Sequence, residues 1–378
     1  MKKIAILGST GSIGRQTLDV LKNFKDEYEI TALAVDTNEE KALAQAENCG
    51  AGLVCVCGRD GSGKVEKGIR VSYGRESLIE ACEGADVVVL AVTGISGLPA
   101  FEYALRQGKK ICLATKEAMV CGGRIARELI DKSSSELIPI DSELSAIYQS
   151  MRGYKKDSIE KILLTGSGGP FRTYTKEELS KVTLEDALKH PTWNMGAKVT
   201  VDSATLMNKG LEIMETRWFF DVEPSKIEVV IHPESIIHSM VEYNDASIIA
   251  QLAVRDMRIP IHYAFTAPER KASPYGRLDL FKLASLHFEK PDVSRFPCLE
   301  LAYEAVKNDG SLQNVLNSAN EVAVAAFLDK KIGFADIPVL IEKAMKSFDN
   351  VKLMSFSDIY GLDLEVRAYT EKQIENII

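Results

Sequence analysis

Short apolar runs alternate with helical stretches over the first third of the chain, a glycine-rich turn follows the first run, and helical period dominates the C-terminal part. Together these predict an α/β protein that ends in a helical bundle. The strand-like runs are Ile4 to Leu7, Ile30 to Val35, Leu53 to Val56, Val87 to Ala91 and Ile111 to Ala114. Helical runs follow at Thr17 to Lys22, Glu39 to Glu47, Ser77 to Glu83, Leu98 to Gln107 and Arg124 to Lys132. Such alternation marks a parallel sheet with helices on both faces, since each parallel connection needs a crossover. Lys156 to Leu164 and Glu228 to Ile231 add strands to a second region. Met240 to Tyr243 and Ser247 to Val254, joined by Asn244-Asp245-Ala246, read as an antiparallel hairpin. An irregular, proline-containing stretch precedes helices at Leu299 to Lys307, Val315 to Leu328, Ile337 to Phe348 and Asp363 to Ile377. The expected division is 1–140, 141–266, a linker over 267–297, and a helical domain over 298–378.

The 378 residues, 46% hydrophobic and 26% charged, suit a soluble multidomain protein. A net charge of -8 argues against nucleic-acid binding, which needs a basic surface. The first apolar run stops at Gly8, short of the roughly 7–15 residues of a secretory h-region. No stretch approaches the roughly 18–20 apolar residues of a membrane span. The seven cysteines are odd in number and without disulfide spacing, and read as reduced core thiols. A cytosolic protein is expected.

Gly8-Ser9-Thr10-Gly11-Ser12-Ile13-Gly14 leaves the first strand and opens a helix. Glycines there let the backbone turn tightly and approach a pyrophosphate, which the helix N-terminus stabilises. The first domain is therefore expected to be a Rossmann-like dinucleotide-binding domain; the bland reading is a tight turn without a ligand. Asp36 ends the second strand about 20 residues on, where an acid usually receives the ribose 2′-hydroxyl of NAD. No arginine or lysine adjoins it in sequence. Asp36 could instead cap the helix that follows.

Asp141-Ser142-Glu143 follows the apolar run Leu137 to Ile140, where a buried strand should end. Side chains two apart on a strand point the same way, so both acids are expected to converge. Glu212 lies on a later helical stretch, on one face with Asn208 and beside Lys209. Three hard oxygen ligands suit magnesium or manganese holding an oxygen-rich, phosphorylated substrate. The bland reading makes all three surface acids.

Thr165 leads into Gly166-Ser167-Gly168-Gly169-Pro170, a run suited to cradling an anion. Asp202 and Ser203 read as capping residues of the helix that carries Asn208 and Glu212, and Ser203, Asn208 and Lys209 offer donors to a phosphate. Between them, His190-Pro191-Thr192-Trp193-Asn194-Met195-Gly196 reads as a lid, or as a loop anchored by a buried tryptophan. His232, His238, His262 and His287 have no metal-type spacing and read as structural.

The Asp141 motif, the Gly166 to Phe171 run, the His190 to Gly196 loop and the Asp202 to Glu212 segment together resemble the 1-deoxy-D-xylulose 5-phosphate reductoisomerase family, with similarity reaching Asn317-Ser318-Ala319-Asn320-Glu321. The resemblance implies isomerisation of that sugar phosphate by retro-aldol cleavage and recombination, then NADPH-dependent reduction to 2-C-methyl-D-erythritol 4-phosphate for isoprenoid precursors. It implies a central α+β catalytic domain with a mobile lid, and a homodimer. By position it assigns Asp141, Glu143 and Glu212 to a divalent metal, manganese or magnesium. Ser142 and Lys116 would contact the substrate's polar backbone. Ser167, Ser203, Asn208 and Lys209 would bind its phosphate, with His190 closing and Trp193 covering the carbon skeleton. Thr10, Gly11, Ser12, Ile13, Asp36, Thr37, Asn38, Thr115, Glu117 and Gly196 would form the cofactor site.

The chain departs from the family pattern at four places. Asp36-Thr37-Asn38 stands where a small residue, a cation and asparagine are usual, which predicts an eroded preference for NADPH over NADH. Thr115 replaces asparagine before Lys116, Leu144 replaces histidine after the Asp-Ser-Glu motif, and Ala253-Val254-Arg255 replaces Gly-x-Pro. Two other readings stay open: a paralogue acting on another ketose or hydroxy-acid phosphate, possibly with NADH, and a non-catalytic sensor of cofactor or sugar phosphate. The intact Asp141, Glu143 and Glu212 count against the sensor.

Overall fold

A computed structural model describes residues 1–193 and 195–377. Two compact units account for the chain, and each is assembled from separate stretches. The first comprises Met1–Ala118, Ala126–Ser145 and Asp256–Gly276; the second comprises Met119–Ile125, Ala146–Arg255 and Arg277–Ile378. The expected linear division and these interleaved units cut the chain in different ways.

The first unit holds strands β1 (Lys2–Leu7), β2 (Tyr28–Val35), β3 (Leu53–Val56), β4 (Lys64–Glu66), β5 (Ile69–Tyr73), β6 (Val87–Leu90), β7 (Lys110–Leu113) and β8 (Leu137–Pro139). They form one sheet in the order β4-β5-β3-β2-β1-β6-β7-β8, parallel except for β4 against β5. Helices α1 (Ser12–Leu21), α2 (Glu39–Cys49), α3 (Ser77–Glu83) and α4 (Leu98–Arg106) make the crossovers. Parallel strands covered on both faces need continuous apolar runs, and Ile4, Ile6, Leu33, Leu90 and Leu113 are wholly buried. The strand order reverses between β1 and β6, the switch point at which doubly wound sheets open a crevice for ligands.

The β4–β5 hairpin is not foreseen by apolar periodicity. Its strands are short, β4 is exposed, and Lys67-Gly68 turns the chain with both residues at positive φ. A lysine in that first turn position carries no signal for such a turn, which usually takes asparagine or glycine. Helix α5 (Lys116–Lys132) starts earlier than expected and kinks at Gly123, where φ is +47°. That positive φ favours glycine, and a β-carbon there would also lie 2.4 Å from the Gln313 amide nitrogen.

Helix α6 (Ser142–Met151) leads to β9 (Ile159–Gly166), whose start is three residues later than expected because 156–158 form a 3-10 turn. Then come α7 (Lys176–Leu179), α8 (Leu184–Ala187), α9 (Ala197–Ala204), α10 (Met207–Phe220), β10 (Ile227–Ile231), β11 (Ile237–Tyr243) and β12 (Ile248–Leu252). The second sheet runs β10-β9-β11-β12; β9 and β10 are parallel, and the expected β11–β12 hairpin is antiparallel. Helix α11 (Arg258–Thr266) belongs to the first unit. After a short α12 (Leu280–Leu283), the expected bundle follows as α13 (Pro297–Lys307), α14 (Leu312–Leu328), α15 (Asp336–Ser347) and α16 (Phe356–Glu375). Among the described residues, no helix is long and apolar enough to cross a membrane.

Candidate active site

In the first unit the glycine turn is built around backbone contacts that side chains would block. Gly8 has φ +90°, and a β-carbon on it would lie 2.2 Å from the Ala91 carbonyl oxygen. One on Gly14 would lie 2.2 Å from the Gly8 carbonyl oxygen. Ser9, fully buried, exchanges hydrogen bonds with Gln45 at 2.9 and 3.0 Å, which pins the turn to α2. Gly11 is the N-cap of α1 and no side chain caps the helix. The first-turn amides at Ser12 and Ile13, beside Thr10, are therefore suited to a pyrophosphate.

Asp36, Thr37 and Asn38 emerge exposed at the end of β2. The cap of α2 is Asn38, whose side-chain oxygen accepts from the Lys41 amide at 3.2 Å, so Asp36 is not the capping residue. Thr115 is buried, and its hydroxyl donates to the carbonyls of Val92 at 2.6 Å and Leu90 at 3.2 Å. That hydroxyl braces the β6 and β7 ends. Glu117 lies in the first turn of α5.

Lys116 forms an ion pair with Asp141, and both side chains are largely buried. Asp141 also accepts from the amides of Glu143 at 3.1 Å and Leu144 at 3.3 Å. It therefore caps α6, and Glu143 sits in the first helical turn with the Ser142 hydroxyl on its carboxylate. The expectation that the two acids share one face of a strand end is overturned, since Glu143 lies in a helix. An aspartate followed by serine and glutamate favours a helix start, because its carboxylate satisfies orphan amides and the dipole favours acids there. Leu144 is wholly buried.

In the second unit β9 ends in the Ser167 turn, with Gly168 and Gly169 at φ +84° and +70°. A β-carbon on Gly169 would lie 2.6 Å from the Ser203 carbonyl oxygen, and one on Gly166 would lie 2.8 Å from Lys209 Cε. The turn thus packs directly on Ser203 and Lys209. His190 Nε2 lies 3.3 Å from the Ser167 hydroxyl and 3.0 Å from that of Ser203. Its Nδ1 accepts from the amides of Trp193 at 2.9 Å and Thr192 at 3.2 Å. Two amides on Nδ1 fix the tautomer, leaving the proton on Nε2 to donate toward the two serines. Burial, reinforced by the Lys209 charge, pushes the imidazole pKa down to about 4, so His190 is neutral near pH 7.

Ser203 lies in the last turn of α9, whose N-cap is Gly196, and the chain then breaks at Leu206, φ +61°, before α10. The expected capping role of Asp202 and Ser203 is therefore overturned. On α10, Glu212 is buried and accepts from the Asn208 amide at 2.5 Å and pairs with Lys209. Two nitrogen donors offset the cost of burying that carboxylate. Trp193 is half-buried, its ring centroid 6.1 Å from that of His238; Asn194 of the expected lid lies outside the described residues. His232 Nδ1 lies 2.9 Å from the His287 carbonyl, His262 Nε2 3.2 Å from the Ala272 carbonyl and His287 Nδ1 2.5 Å from Glu234.

Family models match the chain in three consecutive parts: "1-deoxy-D-xylulose 5-phosphate reductoisomerase" over residues 4–123, its "C-terminal domain" over 137–220, and "DXP reductoisomerase C-terminal domain" over 252–369. The 1-deoxy-D-xylulose 5-phosphate reductoisomerase of Thermoanaerobacter sp. (strain X514) is 48% identical over 379 residues, covering 99% of each chain. That of Bacillus subtilis (strain 168) is 48% identical over 377 residues, covering 98% of each. The chain belongs to the 1-deoxy-D-xylulose 5-phosphate reductoisomerase family.

Two solved structures of the family superpose closely. The Zymomonas mobilis reductoisomerase in complex with NADPH has a TM-score of 0.91 at 38% identity, covering 99% of both chains. A reductoisomerase in complex with NADPH, fosmidomycin and magnesium has a TM-score of 0.92 at 35% identity, covering 100% of this chain and 99% of that one. The middle family model, 137–220, spans Asp141 through Glu212.

Within this reductoisomerase fold, Asp202 does more than the cap its sequence position suggests. It is 1% exposed, pairs with Lys198 at 2.9 Å, and accepts from the Asn320 amide at 2.9 Å. It thereby ties α9, which carries Ser203, to α14. The available signal is an acid inside a helical stretch between apolar Val201 and Ala204, with amides in the Asn317 to Glu321 run.

Proposed function

We propose that the chain converts 1-deoxy-D-xylulose 5-phosphate to 2-C-methyl-D-erythritol 4-phosphate, using NADPH and a divalent metal, magnesium or manganese. The observation that carries this reading is similarity to reductoisomerases over nearly the whole length, supported by a complete set of family-type donors. The metal fits Asp141, Glu143 and Glu212, three hard oxygen donors. NADPH fits the glycine turn, where Gly8 and Gly14 leave no room for a β-carbon, and the uncapped start of α1.

In this reading Ser167, Ser203, Asn208 and Lys209 take the substrate phosphate, and His190 donates through its Nε2 proton. Being neutral, His190 contributes a directional hydrogen bond that does not depend on protonation near pH 7. Lys116 and Ser142 hold the polar backbone of the substrate, and Trp193 lies over its carbons and excludes water. The bound metal supplies a Lewis acid for the carbonyl and hydroxyl oxygens, and the reduced nicotinamide supplies hydride. Glu117 and Gly196 belong to the cofactor site, while the Thr115 hydroxyl acts by holding the backbone that presents Lys116.

We further propose a cytoplasmic homodimer. Reduced thiols support the compartment: all seven cysteines are free, and burial pushes Cys55, Cys82, Cys112 and Cys298 up to about 12. Wholly exposed Phe281 and exposed Leu280 support association. Purified protein given deoxyxylulose phosphate, NADPH and magnesium or manganese should form methylerythritol phosphate, detected by mass. NADPH binding without product would overturn the catalytic reading, and a monomer by light scattering would overturn the dimer.

A further inference from the structure

Resting on the NADPH reading, we propose that Arg59, in the turn after β3, is the cation that selects the 2′-phosphate, a role that Thr37 cannot fill. In dinucleotide-binding folds the adenosine ribose sits at the end of the second strand, where an acid selects NAD and a nearby arginine selects NADP. Here that strand ends in Asp36-Thr37-Asn38, with an acid and no cation.

The turn after β3 is bound to this strand end. The Cys57 amide donates to the Val35 carbonyl at 2.9 Å, and the Gly58 amide donates to the Asp36 carbonyl at 2.8 Å. The Asp36 carboxylate lies over Gly58 so closely that a β-carbon there would be 1.9 Å from Oδ1. The acid is thus turned onto the backbone next to Arg59. Thr37, Asn38, Arg59 and Lys64 line one cavity of about 770 Å³.

Arg59 is half-exposed, its guanidinium 5.2 Å from the Tyr73 ring centroid, and it pairs with Glu39. Glu39 has two further partners, Lys64 at 2.7 Å and the Tyr73 hydroxyl at 3.0 Å. Arg59 can therefore leave Glu39 for a phosphate without stranding the carboxylate. A planar guanidinium presents a two-pronged donor that matches phosphate. Direction matters here because the lining does not attract anions in bulk: Lys67 is neutralised by Glu47, and Lys64 also pairs with Glu66.

Binding of NADPH and NADH to the full-length protein, followed by nicotinamide fluorescence, tests this apart from turnover. The wild type should bind NADPH at least tenfold more tightly than NADH. Arg59→Ala should remove most of that ratio while NADH affinity changes less than twofold, which also reports an intact fold. Arg59→Lys should restore part of it, and Glu39→Gln should increase it. Equal loss for both dinucleotides in Arg59→Ala, an unchanged ratio, or a wild type without preference would overturn the proposal and leave the reductoisomerase reading standing. Failure to bind either dinucleotide would overturn both.

Discussion

His190 carries two backbone amides on one ring nitrogen and faces two serine hydroxyls with the other. Protonating Nδ1 would break the bonds to Thr192 and Trp193, so burial and geometry resist the charged form together. With its folded pKa at about 4, below the unfolded 6.5, His190 favours folding fully above pH 6.5, and that contribution is lost as pH falls toward 4. His190→Gln should therefore flatten the pH dependence of stability between those values, read as thermal midpoints. An imidazole resonance of His190 titrating near 6.5 would contradict this. Glu212 has the opposite character, an anion held by Asn208 and Lys209. Glu212→Gln should cost orders of magnitude in turnover while NADPH binding stays near wild type, since a Lewis acid would lose an ionic ligand. Activity that survives this change, or a chelator, would remove Glu212 from the metal site.

At the scale of elements, β1 to β3, β6, β7 and the last four helices were legible because apolar period and length both point one way. The hairpin β4–β5 was not, its strands being short and its turn chemistry atypical. Strand spacing predicts the grouping of the Asp141 and Glu143 acids, but a helix start sets it, with Asp141 on the Glu143 amide. The break at Leu206 was equally silent, since no glycine marks the positive φ. Helix α10 shows what the sequence hides in contacts: a β-carbon on Gly210 would lie 2.5 Å from the Ala302 β-carbon of α13. Neither atom can swing aside. Gly210→Ala should destabilise by about 1–3 kcal/mol and reduce activity through the adjacent Lys209 and Glu212, and Ala302→Gly should rescue both. No rescue would place the strain elsewhere. The 190–196 loop makes a separate prediction, because Trp193 is only half-buried. Its fluorescence should change when a phosphonate hydroxamate binds with magnesium, and an unresponsive tryptophan would make the loop an anchor and not a lid.

For the whole molecule, the decisive feature is the return of α11 to the first unit. Tyr28 donates to the Phe265 carbonyl at 2.8 Å, Phe24 packs on His262 with ring centroids 5.1 Å apart, and Arg258 pairs with Asp19 at 3.2 Å. A fragment of residues 1–140 lacks all three contacts. It should be insoluble or fail to bind NADPH, and a folded, cofactor-binding fragment would show that α11 is dispensable. The same feature sets a timetable for synthesis. At about 5–20 residues per second, N-terminal domains ordinarily finish folding while the rest is still being made. Here the glycine turn and its sheet emerge first, yet the helix that seals their far side is more than a hundred residues behind β8. The nascent sheet must wait through the making of the second sheet with one flank bare, and that interval is when chaperones would engage this chain.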